Sequence, residues 1–180
     1  MKKRIIIITS IILLLLVIGI LILINNIYKD KTLLAENIDY INNNYDNMKK
    51  EINNYNNVRL EVSDIINNFY FDLIEENYES NKKILDKYTL VIDNITDYTK
   101  KLDSKCDIIY SDSNVNKNCK NYKDNYEIIV NVYVNDILAY NDKINSYNIE
   151  NNKKLSLYET NYNYIDYNLD NNYEEKSDNK

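Results

Sequence analysis

The 180-residue chain contains no proline, no histidine and no tryptophan, one glycine, two phenylalanines and two cysteines. Each scarcity excludes something. Folds rich in β-structure need many turns with positive φ, which glycine supplies at least cost. With its one glycine at residue 19, the chain is expected to be all-α. Asparagine tolerates left-handed backbone better than most residues and is the expected substitute at helix ends. Without histidine no side chain has an ordinary pKa near neutrality to serve as general base or metal ligand. No glycine-rich loop can cradle a phosphate. Adjacent carboxylates such as Glu75 and Glu76 would point about 100° apart on a helix, as solvated groups do. The chain is therefore read as non-enzymatic, with no catalytic residues, no cofactor and no metal site.

What is present begins with a long apolar run. Lys2, Lys3 and Arg4 precede residues 5–24, where only Thr9, Ser10 and Gly19 interrupt the aliphatic side chains. Twenty helical residues rise roughly 30 Å, the thickness of a bilayer's hydrocarbon core. A cleaved signal peptide would have a shorter apolar region and a small-x-small site after it. Asn25, Asn26, Ile27 and Tyr28 follow instead. Residues 5–24 are therefore expected to be a single-pass signal-anchor in contact with lipid, with residues 1–4 as a short cytoplasmic tail. The basic end stays inside, which places residues 25–180 outside the cell membrane.

Charge narrows the partners. The chain holds 22 basic and 28 acidic residues, and setting aside the three basic ones before the run leaves 19 against 28. A surface this acidic repels phosphate backbones, so nucleic acid is not an expected partner. The composition is also skewed to asparagine, with 34 copies, and to tyrosine, with 19 copies against two phenylalanines. A/T-rich codons would favour both aromatics, so the tyrosine excess needs a physical reason. Tyrosine can bury its ring while its hydroxyl reaches water, which suits a thin bundle with half-wet seams.

Apolar residues recur at alternating spacings of three and four, the mark of helices packed along narrow stripes. One series runs Ile38, Ile41, Tyr45, Met48, Ile52, Tyr55, Val62, Ile66, Phe69 and Leu73, with Arg59 in one seam position. A second runs Leu85, Tyr88, Ile92, Ile95, Thr99, Leu102, Cys106 and Ile109. A third runs Cys119, Tyr122, Tyr126, Ile129, Tyr133, Ile137, Tyr140, Ile144 and Tyr147. These predict helices over 28–75, 82–110 and 116–150, in an antiparallel bundle or coiled coil spanning 25–150. The first turn is placed at 76–83, because an earlier one would drive the returning helix into the membrane.

Cys106 and Cys119 flank Ser111, Asp112, Ser113 and Asn114, the most turn-like stretch of the outer domain. Both occupy seam positions, and outside the cytoplasm their thiols can remain oxidised. They are expected to form a disulfide closing the hairpin, with its tip roughly 25 Å above the membrane. Two cysteines and no histidine match no zinc pattern.

From residue 151 to 180 the heptads fade into a polar, tyrosine- and asparagine-rich tail, read as partly disordered. Within it Asp166, Asn168 and Asp170 resemble the start of an EF-hand loop, but Asn171 replaces its glycine and Ser177 its bidentate glutamate. Calcium is not assigned there. Asn94-Ile95-Thr96 is the one glycosylation sequon. The chain thus reads as a membrane-anchored spacer or protein–protein adaptor of the cell envelope. Its helical seams are expected to recruit a protein partner or a second copy. The alternative is an extracytoplasmic ligand-binding domain that signals through a membrane partner.

Overall fold

A computed structural model describes the backbone of residues 2–70, 73–107, 110 and 112–165, with side chains described from Leu15 onward. Within that range the protein is all-helical, with three helices and no strand: α1 (Lys2–Asn67), α2 (Ile74–Cys106) and α3 (Ser113–Asn151). Cross-links between side chains fix their directions. Lys87 meets Glu61 and Asn94 meets Glu51, so α2 descends against α1. Asn118 meets Asn42 and Arg59 meets Asp136, so α3 ascends beside α1.

The seams are the expected ones. Ile41, Tyr45, Met48, Tyr55 and Val62 of α1 are buried against Leu85, Tyr88, Ile92, Ile95 and Leu102 of α2 and against Tyr122, Tyr133, Ile137, Tyr140 and Ile144 of α3. Polar residues between these positions keep the outer faces wet, the pattern that confines packing to one stripe. On α3 the buried face is wider than a coiled-coil stripe, because Val130 and Val134 are buried as well.

Two boundaries differ from the sequence reading. The first turn falls at 68–73, not 76–83. Asn68 closes it by bonding the Asp64 carbonyl, and Leu73 bonds that of Tyr70. The polar run at 75–83 is helical and opens α2, where Glu75 and Glu76 in the first turn complement the positive end of the helix dipole. The earlier turn also lowers the second hairpin. Asn118 lies level with Asn42, so the first residue of α3, Ser113, sits about 20 Å beyond the end of the apolar run.

Among the described residues no helix is long and apolar enough to cross a membrane. Of the apolar run only residues 15–24 have described side chains, and their helical rise is about 15 Å, half a bilayer core. Those side chains are bare: Leu15, Leu16, Leu21 and Leu23 are each about 60% exposed. The helix continues without a break from this bare region into the bundle.

The third correction concerns the end of the chain. Residues 153–165, placed by the fading heptads in a loose tail, fold back along α2 and α3 as a strap. Leu155, Tyr158, Tyr162 and Ile165 pack on the core. The reversal begins at Asn152, the only non-glycine residue with positive φ (51°) among those described. Its backbone N–H and that of Lys153 both donate to the Asn148 carbonyl, ending α3 as a glycine-type cap would.

Candidate functional site

Cys106 and Cys119 are joined by a disulfide, with their Cα atoms 5.4 Å apart. The connection they close is held by side chains. Asp112 caps α3 by accepting from the backbone N–H groups of Asn114 and Val115. Asn116 reaches back to Tyr110 with both ends of its amide: Tyr110 N–H donates to Oδ1 at 2.9 Å, and Nδ2 donates to the Tyr110 carbonyl at 2.6 Å.

The same two-point grip recurs along α3 and holds the strap. Asn148 grips the N–H and carbonyl of Leu155 (2.8 Å each). Asn141 grips those of Tyr158 (2.8 and 2.9 Å). Asn131 grips those of Ile165 (2.7 and 3.1 Å). Geometry sets the spacing. Seven helical residues from Asn148 to Asn141 rise about 10 Å, which three extended residues from Leu155 to Tyr158 also cover. From Tyr158 to Ile165 there is spare chain, taken up by a bend at Asn161.

The opposite wall reads side chains. Tyr158 donates its hydroxyl to Asp86 (3.0 Å) and meets Thr89 (2.8 Å). Tyr162 donates to Asp93 (2.7 Å) and meets Thr96 (3.0 Å). An Asp-x-x-Thr pair thus repeats after seven residues on α2, each pair holding one phenol. Beneath them Tyr133 bonds Thr89 and packs edge-on against Tyr162, with ring centroids 5.6 Å apart. Burial, partly offset by Thr89 and reinforced by Asp86, pushes the Tyr158 hydroxyl up to about 12. Tyr162 is raised for the same kind of reason, with Asp93 beside it. Both phenols stay neutral donors to their carboxylates.

The strap does not fill its groove. A cavity of about 320 Å³ lies beside it, bordered by Tyr78, Lys82, Asp86 and Tyr140 on the helices and by residues 156–159 of the strap. Tyr140 is 1% exposed, and its hydroxyl has no hydrogen-bond partner within bonding geometry. Burial raises it to about 12, with Asn81 near enough to offset part of that effect.

A second polar node joins the three helices. Arg59, the odd residue of the first seam, bonds Asp136 at 3.1 Å, and Tyr88 donates to the same carboxylate oxygen at 2.9 Å. Burial, then Tyr55 and Asp136, raise the Tyr88 hydroxyl far above its ordinary range. This ties all three helices together and opens to solvent at Arg59, whose side chain is 47% exposed.

Among the described residues no group of three acidic or cysteine side chains could hold a metal ion. Asp166, Asn168 and Asp170 lie outside the described residues. The sequon is engaged internally, since Asn94 donates to Glu51 and Thr96 meets Tyr162. The strap groove was not found by sequence reasoning. Its one advance signal was the Asp86/Thr89 and Asp93/Thr96 repeat facing a tail with tyrosines at 158 and 162. Comparison with protein-family models, with curated proteins and with solved structures finds no match.

Proposed function

We propose that the chain is a membrane-anchored, non-enzymatic protein of the cell envelope, acting outside the cell as a structural spacer or adaptor. The observation that carries this reading is α1. It runs unbroken from Lys2 to Asn67, with exposed aliphatic side chains over residues 15–24 and a packed bundle on its upper half. A helix that is apolar all round is stable only when covered on every side, as a membrane or the core of a large protein does. Residues 5–24 contain enough such residues for one span, and the basic cluster before them favours the inside. Above them a bare stretch of α1, residues 25–36, rises about 18 Å before the bundle begins. This would hold the bundle clear of the headgroups.

The heptad seams offered for partner helices are closed within the chain. An adaptor must therefore dock its partner elsewhere. Sizing of the detergent-solubilised full chain tests the reading: stable self-association supports the adaptor. A strict monomer whose melting temperature rises with a small molecule supports the alternative, a ligand-binding domain, which draws on the cavity beside the strap.

A further inference from the structure

We infer that the groove between α2 and α3 is a docking site for an extended, tyrosine-bearing peptide segment of another protein, and that the chain's own strap occupies it in cis. This deepens the adaptor reading by naming its docking surface, and it is tested without a membrane, so the two can fail separately.

Three observations carry it. First, the wall on α3 recognises backbone. Asn148, Asn141 and Asn131 each take one N–H and one carbonyl of the strap, contacts that any extended peptide can offer. Such main-chain pairing supplies affinity without regard to sequence, while pockets for particular side chains add selectivity. Second, the wall on α2 selects. Its two Asp-x-x-Thr pairs each accept a phenol hydroxyl, and the phenols they hold are four residues apart. The groove therefore reads Tyr-x-x-x-Tyr in an extended segment. Phenylalanine at these positions would leave Asp86 and Asp93 without their donors.

Third, the strap is an incomplete occupant. The 320 Å³ cavity opens where the strap presents Ser156 and Leu157. Lys82 also borders it. A segment with a longer acceptor side chain in place of Ser156, such as glutamate, would fill part of that space and give Lys82 an ion-pair partner. The strap makes all three backbone grips and both phenol contacts and leaves the cavity beside residues 156–159 unused. A better-fitting segment from outside can thus displace it, overcoming the advantage of a tethered competitor.

The test uses the full chain carrying Tyr158→Ala and Tyr162→Ala, which weakens the strap and leaves both walls intact. The probe is a fluorescent synthetic peptide with the sequence of residues 153–165. Saturable binding to this variant, at least tenfold tighter than to the unaltered chain, is expected. Adding Asn141→Ala should weaken it about tenfold, as should phenylalanine at both tyrosine positions of the peptide. Glutamate at the Ser156 position should tighten it. If the double alanine variant loses its helices, Tyr158→Phe with Tyr162→Phe serves instead. No saturable binding to a variant that keeps its helix content and disulfide would overturn the proposal. So would equal binding of the phenylalanine peptide. A dimer formed by mixing the variant with the unaltered chain would show that the occupant is a second copy, overturning the assignment to another protein.

Discussion

The two halves of α1 belong to one continuous helix and have opposite fates. Above residue 38, apolar side chains come at spacings of three and four, and Ile41, Met48 and Val62 are fully covered by α2 and α3. From Leu15 to Ile24 they come at every position but Gly19 and are covered by nothing among the described residues. Hydrophobicity alone does not decide which half finds a protein partner. Periodicity does: a stripe can be closed by two more helices, whereas an all-round apolar surface needs cover on every side, from a larger protein core or from a membrane.

The largest effect should come from charging the lower half. Leu15→Asp with Ile18→Asp costs about 2.5–3.5 kcal/mol per residue within a span. The expected outcome is loss of the protein from alkali-washed membranes, with the melting temperature of the detergent-solubilised bundle unchanged. Loss of bundle stability with membrane retention unaltered would erase the distinction between the halves. In the upper half, Ile92→Ala removes a fully buried side chain from the seam. It should lower unfolding free energy by about 2–5 kcal/mol in denaturant titration and leave membrane retention alone. Cys106→Ser opens a loop of 13 residues' separation and should cost about 3 kcal/mol, leaving Cys119 free to alkylate.

The smallest effect should be alkaline. Tyr158 is held neutral up to about 12, against about 10 for a free phenol. The folded state then holds protons that the unfolded chain has released, so stability falls as pH rises from about 10 through 12. Below pH 10 this contribution is fully present. Tyrosinate absorbance followed against circular dichroism should show ionisation of these phenols coinciding with loss of structure. Ionisation of every tyrosine near 10 with the fold intact would refute the strap's Tyr–Asp contacts.

The heptads made the seams legible almost residue by residue, because burial along a helix is a local pattern. The first turn was misplaced for a related reason. With no proline and with asparagine everywhere, Asn67 and Asn68 look no more like a stop than Asn53 and Asn54 do, and the polar run at 75–83 looked more like one. The strap was illegible because it has no period of its own. It is ordered by groups 7 to 34 residues away on α3, such as Asn148 and Asn131, and by α2 side chains some 70 residues away. The tyrosine excess was half read. Rings were expected in seams with their hydroxyls in water. Many of those hydroxyls instead meet carboxylates: Tyr88 with Asp136, Tyr122 with Asp103, Tyr147 with Glu75, Tyr158 with Asp86 and Tyr162 with Asp93. The acidic surplus and the phenols are two sides of one set of contacts, and phenylalanine could not make them.

The contrast between the halves of α1 is tested most directly by protease added to intact cells expressing the full chain. The anchored reading predicts that the bundle is digested from outside and that a membrane-embedded fragment of a few kilodaltons, containing residues 5–24, survives. Full-length protein protected from the protease, or the whole bundle released into the medium before any is added, would contradict it.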